Sequence, residues 1–184
     1  MADVTTRPAR AFTYNDLEDM PDDGYKREII GGTLLVTPAP FGRHQRAVLR
    51  LAAVLLGAET PEARVLPAPY DWRLQSGDSV EPDVLVIRRD DFDPDGPLPA
   101  SATPLLVVEV LSPSNPDQDR LVKRALYESL GVPAYWIVAP QAPALLALRL
   151  QGGRYEVEAE VAGDECFTTG WPFSLRIVPS ELVR

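Results

Sequence analysis

The segment PLLVVEVLSPS, residues 104–114, constrains the fold most, because it places six apolar residues and one glutamate between a proline and a serine. A short apolar run bounded by turn residues is typical of a β-strand that is buried on both faces. Alternate residues of a strand share a face, so Glu109 would lie beside Val107 and Leu111. The segment therefore predicts a buried sheet that carries an ionisable carboxylate.

Shorter patterns on either side of this strand predict the remaining elements. The predicted strands are two that flank Gly31-Gly32, short proline-interrupted ones in residues 64–75, one that opens after Pro82, one in residues 133–140, and two that meet at Gly152-Gly153. The predicted helices are one with apolar residues at 48, 51, 52 and 55, and one from about Asp117 to Leu130 with Val122, Ala125, Leu126 and Ser129 on one side and a stop at Gly131. This order favours an α/β (α+β) fold with a central mixed β-sheet flanked by helices and an N-terminal β-hairpin.

Length and composition limit the class of protein. A chain of 184 residues suits one domain, which we expect to span residues 1–184, with residues 1–20 as a partly ordered N-terminal segment. Neither an apolar membrane span nor a secretory signal is recognisable, so we expect a soluble cytoplasmic protein. One cysteine, Cys166, and one histidine, His44, exclude an internal disulfide and a multi-histidine zinc centre.

A net charge of −9 argues against a protein that coats nucleic acid through general basicity. The charge does not exclude a local basic groove. Some of the acidic side chains could also bind a metal ion, whose charge would offset theirs.

Two interpretations of Glu109 remain open at this stage. Glutamate is rarely buried without a partner, so it could face water or an arginine at the open end of the sheet, or it could bind a metal or act as a tuned acid or base. Asp83, which opens another apolar strand after Pro82, favours the second interpretation. Two carboxylates on neighbouring strands would repel each other without a cation, and oxygen ligands suit Mg²⁺ or Mn²⁺.

The second predicted helix carries three polar residues at helical spacing, Asp119, Lys123 and Tyr127, which flank its apolar stripe. Lys123 would then reach along the edge of the core. The alternative is an Asp119–Lys123 ion pair on the surface, which would contribute little to stability. Tyr127 is predicted to be a packing residue whose hydroxyl is bonded locally.

Three segments together resemble a known family. They are YKREIIGGTLLVTPAPFGRHQ (25–45), EPDVLVI (81–87) and LLVVEVLSPSNPDQDRLVKRALYESLGVPAYWIV (105–138). They are similar to the Uma-two family of bacterial restriction-endonuclease-like proteins, which belongs to the PD-(D/E)XK nuclease superfamily. The resemblance covers roughly residues 25–140. It implies a restriction-endonuclease-like core.

The resemblance also implies roles for individual residues. Asp83 corresponds to the metal-binding aspartate, Glu109 to the second acidic ligand, and Glu28 to an additional upstream glutamate that completes the metal site. The superfamily usually has a lysine two residues after the second acid. Here that position is Leu111, and the resemblance implies that Lys123 on the following helix has taken over its role.

The first helix adds residues that could contact a substrate. His44 and Gln45 match a recurrent pair of the family. His44 also falls on the apolar face of the helix, so a core-edge histidine and a functional one are both possible. Arg43, Arg46 and Arg50 are spaced for one side and could contact phosphates, although such a run is more often a solvated face.

The function that these residues favour is that of a metal-dependent endonuclease. It would use Mg²⁺ or Mn²⁺ to hydrolyse phosphodiester bonds in nucleic acid, with DNA as the first expectation. The family resemblance also leads us to expect a homodimer. Two alternatives are a non-catalytic interaction or regulatory module built on the nuclease fold, and a hydrolase of small phosphoesters, which would suit the low basicity.

Overall fold

The computed structural model describes residues 11–112 and 118–184, with the backbone alone for residues 118–120. The α-helices of this part of the chain are α1 (Tyr14–Glu18), α2 (Gly42–Gly57) and α3 (Gln118–Ser129). Its strands are β1 (Lys26–Ile30), β2 (Thr33–Thr37), β3 (Ala63–Pro67), β4 (Trp72–Arg73), β5 (Ser79–Val80), β6 (Val84–Arg88), β7 (Leu106–Val110), β8 (Ala134–Ala139), β9 (Ala144–Gln151), β10 (Arg154–Ala162), β11 (Phe167–Thr169) and β12 (Leu175–Ile177). None of the helices in the described ranges combines the length and the hydropathy needed to cross a bilayer.

The central sheet has six strands in the order β10-β9-β8-β7-β6-β3. β7 and β8 run parallel and are connected through α3, whereas the other neighbouring pairs are antiparallel. A parallel pair needs a crossover connection, which α3 supplies. The predicted mixed α+β fold with helices on a central sheet is therefore confirmed.

The N-terminal hairpin belongs to a second sheet, whose order is β2-β1-β5-β4. Its turn is formed by Gly31 and Gly32, with φ angles of +58° and +70° that favour glycine. The Asp78 carboxylate accepts hydrogen bonds from both glycine N–H groups at 3.0 Å. The predicted hairpin is thus present, and a carboxylate that precedes β5 fixes its turn.

Residues on the two faces of the central sheet alternate, as strand geometry requires. On one face, the apolar side of α2 packs through Val48, Leu51 and Leu55 against residues that include Val108. On the other face, α3 and the four-stranded sheet cover residues that include Val107. Glu109, one residue before the end of β7, has the same strand parity as Val107, so it points towards the α3 side.

The predicted orientation of α3 is wrong. The stripe of Val122, Ala125, Leu126 and Ser129 was expected to face the core, but Val122 is 43% exposed, Ala125 and Ser129 are also exposed, and only Leu126 packs against the core. Lys123 and Tyr127 are the buried positions instead. Their polar ends reach charged partners inside the protein, which outweighs the burial of the smaller apolar side chains.

Candidate active site

Three buried carboxylates meet at one end of the central sheet. Glu28 lies in β1, Asp83 stands directly before β6, and Glu109 lies near the end of β7. Because β6 and β7 are antiparallel, with Val84 opposite Val108, the start of β6 and the end of β7 coincide. The Val110 N–H donates to Asp83 Oδ2 at 2.7 Å, which fixes the aspartate against the neighbouring strand.

Two lysines lie among these carboxylates. Lys123 Nζ is 2.9 Å from Glu28 Oε2 and 2.9 Å from Glu109 Oε1, so it bridges the two sheets. Lys26 Nζ is 3.6 Å from Asp83 Oδ1. Lys123 was predicted to lie along the edge of the core. It is only 5% exposed and is therefore buried.

His44, near the start of α2, completes the surroundings of Asp83. Its Nε2 atom lies 3.2 Å from Asp83 Oδ2. Its Nδ1 atom is buried and has no hydrogen-bond partner within the described part of the chain. His44 is therefore buried on the apolar face of its helix and contacts a site carboxylate as well, which combines the two interpretations of this residue.

Tyr127 packs as expected, but its hydroxyl is not bonded locally. The ring stacks on Trp72 at 6.4 Å between centroids and meets Tyr135 edge-on at 5.2 Å. The hydroxyl donates to Glu109 Oε1 at 2.7 Å, across 18 residues of sequence. Tyr127 thus supports the same carboxylate oxygen that Lys123 binds.

Apart from Tyr127, these groups line a single pocket with a cavity volume of about 90 Å³. Its charged and polar lining consists of Lys26, Glu28, Thr37, His44, Asp83, Glu109, Ser112, Lys123 and Tyr135. Leu111, at the position where the superfamily usually has lysine, also lines the pocket. Charged groups from both sheets and both long helices therefore converge on one small space.

Burial and ion pairing act in opposite directions on the ionisation of these groups. Burial raises the pKa of Glu109. Burial also opposes ionisation of Asp83, but the hydrogen bond from His44 and the charge of Lys26 lower its pKa to about 2. For Glu28, the charges of Lys123 and Lys26 outweigh burial and lower the pKa.

Both ammonium groups are stabilised in their charged form. Burial alone would lower the pKa of Lys123, but the Glu109 and Glu28 carboxylates raise it well above its usual range. The pKa of Lys26 is also raised, because Glu28, Asp83 and Glu109 together outweigh its burial. Both lysines therefore stand in the pocket as fixed positive charges at neutral pH.

The chemistry of the donor set fits a hard divalent cation. Glu28, Asp83 and Glu109 offer carboxylate oxygens only, which suits Mg²⁺ or Mn²⁺. Among the described residues, no three acidic, histidine or cysteine side chains are already arranged around one metal position. The two lysine ammonium groups lie among the carboxylates instead, so an ion would have to rearrange these pairs. Glu109 Oε2, which takes no part in the bonds to Lys123 and Tyr127, could accept an ion first.

The remaining predicted contact residues lie outside this pocket. Arg43 and Gln45 are exposed on α2. Arg46 Nε donates to the carbonyl oxygen of Arg184 at 2.8 Å, and Arg50 donates to the same oxygen at 3.3 Å. The side chain of Asp119, a predicted supporting residue, lies outside the described residues.

Lys26 was missed by the sequence analysis. Two sequence features could have found it. It alternates with Glu28 along β1, so the two side chains share a face, and it is one of only two lysines in the chain, the other being Lys123.

Comparisons with known proteins support this description of the fold. The chain resembles the crystal structure of a "putative nuclease belonging to DUF820" from Anabaena variabilis, with a TM-score of 0.74 and 19% identity over 94% of this chain and 97% of the other. This similarity shows a nuclease-like fold. The family model "Uma2: Putative restriction endonuclease" matches residues 14–179, and the chain belongs to that family. No curated protein matches the chain.

Proposed function

We propose that the protein is a metal-dependent endonuclease that hydrolyses phosphodiester bonds in nucleic acid, with DNA as the first expectation. The observation that carries this proposal is the convergence of three buried carboxylates and two ammonium groups in one pocket. Burying charged groups costs free energy, and ion pairs between buried groups rarely add net stability. The presence of five charged groups in one pocket is therefore better explained by chemistry than by folding.

The residues would divide the work as follows. Glu28, Asp83 and Glu109 would hold the cation through their carboxylate oxygens. When bound, Mg²⁺ would polarise the phosphate and acidify the attacking water. Lys123 would keep Glu28 and Glu109 in position and stabilise negative charge that develops on the phosphate. His44 and Tyr127 would orient Asp83 and Glu109 through the hydrogen bonds described above.

The size of the pocket supports a polymeric substrate over a small phosphoester. A volume of about 90 Å³ is far below the roughly 300–1,000 Å³ that usually encloses a small-molecule ligand. Only a group as small as a phosphate would enter, and the rest of the substrate would lie on the surface. Arg43, which is exposed next to His44 on α2, would contact such an extended substrate.

The first test is calorimetric binding of Mn²⁺ to the wild-type protein, to Glu109→Gln and to Glu156→Gln. Glu156 is exposed on β10 and serves as the matched control. We expect binding by the wild type and by Glu156→Gln, and none by Glu109→Gln. Plasmid, linear and single-stranded substrates would then be screened with Mg²⁺ and Mn²⁺. Lys123→Gln should still bind the metal but cleave slowly.

A non-catalytic interaction module is the alternative that one observation favours. The ammonium groups already compensate most of the carboxylate charge, so the site has a stable arrangement without an ion. Such a module would bind Mn²⁺ weakly or not at all and would cleave none of the three substrates. Those results would contradict the nuclease proposal and favour a non-catalytic interaction module.

A homodimer remains our prediction for an enzyme that cuts both strands of a duplex. β10 is an edge strand of the central sheet, but it carries Glu156, Glu158 and Glu160 in alternation. Like charges along an edge disfavour strand-to-strand pairing of two copies. We therefore expect the dimer to use another surface, and sedimentation equilibrium would measure its formation.

A further inference from the structure

The chain uses lysine only in the candidate active site. Lys26 and Lys123 are its two lysines, whereas the other basic residues are arginines. Both lysines line the pocket, and no arginine of the described residues does. Arginine is usually better suited to a buried pair with a carboxylate, because its planar guanidinium binds both oxygens. A lysine ammonium is a compact point charge and resembles a small cation in size.

The two ammonium groups are held differently. Lys123 has two contacts of 2.9 Å, and its side chain is 6% exposed. Lys26 has one longer contact, of 3.6 Å to Asp83 Oδ1, and its side chain is 19% exposed. Lys26 therefore stands as a loosely held cation beside Asp83, whereas Lys123 is a fixed link between Glu28 and Glu109.

The charges of the pocket limit how many divalent ions it can accept. When all three carboxylates are ionised and the histidine is neutral, they and the two ammonium groups leave one net negative charge. One divalent ion would change the net charge to one positive, which remains moderate. A second ion would leave three uncompensated positive charges in a pocket whose lysines are largely buried, which is costly.

We propose that Lys26 takes the place of a second divalent cation beside Asp83, so that the site binds a single metal ion together with a fixed ammonium group. This inference rests on the proposed function, because it assumes that the carboxylates bind a metal. It assigns Lys26 a role in setting the metal stoichiometry, which is distinct from the role of Lys123.

The test is the number of Mn²⁺ ions bound per chain, measured by calorimetry on the wild type, Lys26→Gln and Arg27→Gln. Arg27 is the matched control, because it is the next residue of β1 and pairs with Asp23 on the opposite face at 2.7 Å. We expect one ion for the wild type and for Arg27→Gln. We expect Lys26→Gln to bind a second ion and to bind the first with a dissociation constant at least about tenfold lower.

Different failures have different meanings. Two ions bound by the wild type, or a single ion bound by folded Lys26→Gln at any affinity, would overturn this inference and leave the nuclease proposal intact. No Mn²⁺ binding by the wild type would overturn the metal-dependent function, and this inference with it. If Lys26→Gln does not fold, as judged by circular dichroism, Lys26→Met removes the charge while keeping an unbranched apolar side chain and is expected to give the same result.

Discussion

At the scale of single residues, Glu109 is the group on which the site depends most. Its Oε1 atom accepts hydrogen bonds from both Lys123 and Tyr127, and burial raises its pKa. A carboxylate held in this way has a fixed orientation before any ion binds. Preorganisation of this kind is what supporting residues contribute to a metal site.

Tyr127→Phe should separate this support from packing. The ring would keep its contacts with Trp72 and Tyr135, and only the hydroxyl bond to Glu109 would be lost. We expect a loss of about 1–2 kcal/mol in the free energy of unfolding and a roughly tenfold weaker affinity for Mn²⁺. Urea denaturation and calorimetry would measure the two effects.

Tyr155→Phe is the control for that experiment. The Tyr155 hydroxyl donates to the Val132 carbonyl at 2.9 Å and is also buried, but it lies outside the pocket. We expect a similar loss of stability without a change in Mn²⁺ affinity. Equal metal affinity in Tyr127→Phe and the wild type would show that the hydroxyl has a purely structural role.

Glu81 gives a pH-dependent prediction. Burial raises its pKa from 4.5 to about 7, and its backbone N–H donates to Glu28 Oε1 at 3.0 Å. The nearby charges that also affect it are Lys26, which lowers the pKa, and Asp71, Glu28 and Asp83, which raise it. Between pH 4.5 and about 7 the folded state keeps a proton that the unfolded state has lost. The free energy of unfolding therefore falls as the pH rises through this window.

Glu81→Gln should remove that loss of stability. With a chelator present, we expect the variant to match the wild type near pH 4 and to exceed it near pH 8. The gain should be roughly 1–2 kcal/mol, after allowance for the partial exposure of the side chain. Glu62→Gln, at an exposed position, is the control and should follow the wild type throughout. A constant difference between Glu81→Gln and the wild type at all pH values would contradict the prediction.

Some residues of the site could be predicted from the sequence, and others could not. Asp83 and Glu109 interrupt apolar strands, where a charge needs a partner, so the pattern alone suggested that they meet. Glu28 was found through the family resemblance alone, whereas Lys123 was suggested by its helical spacing and assigned its role through the resemblance. The His44–Asp83 and Tyr127–Glu109 contacts depend on how helices dock at the end of the sheet, which local sequence does not encode.

At the scale of elements, α3 shows how a polar site can reverse the orientation that a hydrophobic pattern predicts. The helix faces the core with Lys123 and Tyr127, and it leaves Val122 43% exposed. Of the predicted apolar stripe only Leu126 packs against the core, so the periodicity of the apolar residues misplaced the centre of the buried face. By contrast, the buried charge on α3 does not conflict with the sequence patterns of α2 and of the β1–β2 hairpin. Both of these elements were predicted correctly.

The orientation of α3 can be tested by making the same valine-to-alanine substitution in α3 and in α2. Val122→Ala should change the free energy of unfolding by less than about 0.5 kcal/mol, since an exposed side chain loses little. Val48 in α2 is only 7% exposed. Val48→Ala should therefore lower the free energy of unfolding by about 2 kcal/mol, through lost burial and a cavity. Thermal or urea denaturation would measure both. A similar cost for the two variants would mean that Val122 is packed.

At the scale of the whole molecule, the net charge of −9 opposes association with a polyanion, so any nucleic acid must be held through local contacts. Cleavage of DNA should then fall steeply with salt concentration, whereas hydrolysis of a small phosphodiester should hardly change. Arg43→Gln should reduce the slope of log affinity against log salt by about 1.

Arg154→Gln is the control for the salt experiment. Arg154 is also an exposed arginine, but it begins β10, at the end of the sheet opposite the site. We expect its variant to keep the wild-type slope. Equal slopes for DNA and for the small substrate would instead favour a hydrolase of small phosphoesters.

The direction of the strands also decides where the protein can be modified. β7 and β8 both run towards the site, and β9 runs back from it, so the Gly152-Gly153 turn between β9 and β10 lies at the far end of the sheet. Both glycines are exposed, and their φ angles of +55° and +81° favour glycine, so this turn suits an insertion better than a substitution. An affinity peptide inserted between the two glycines would leave the pocket open. Immobilisation through the same turn would present every molecule with the pocket towards the solvent.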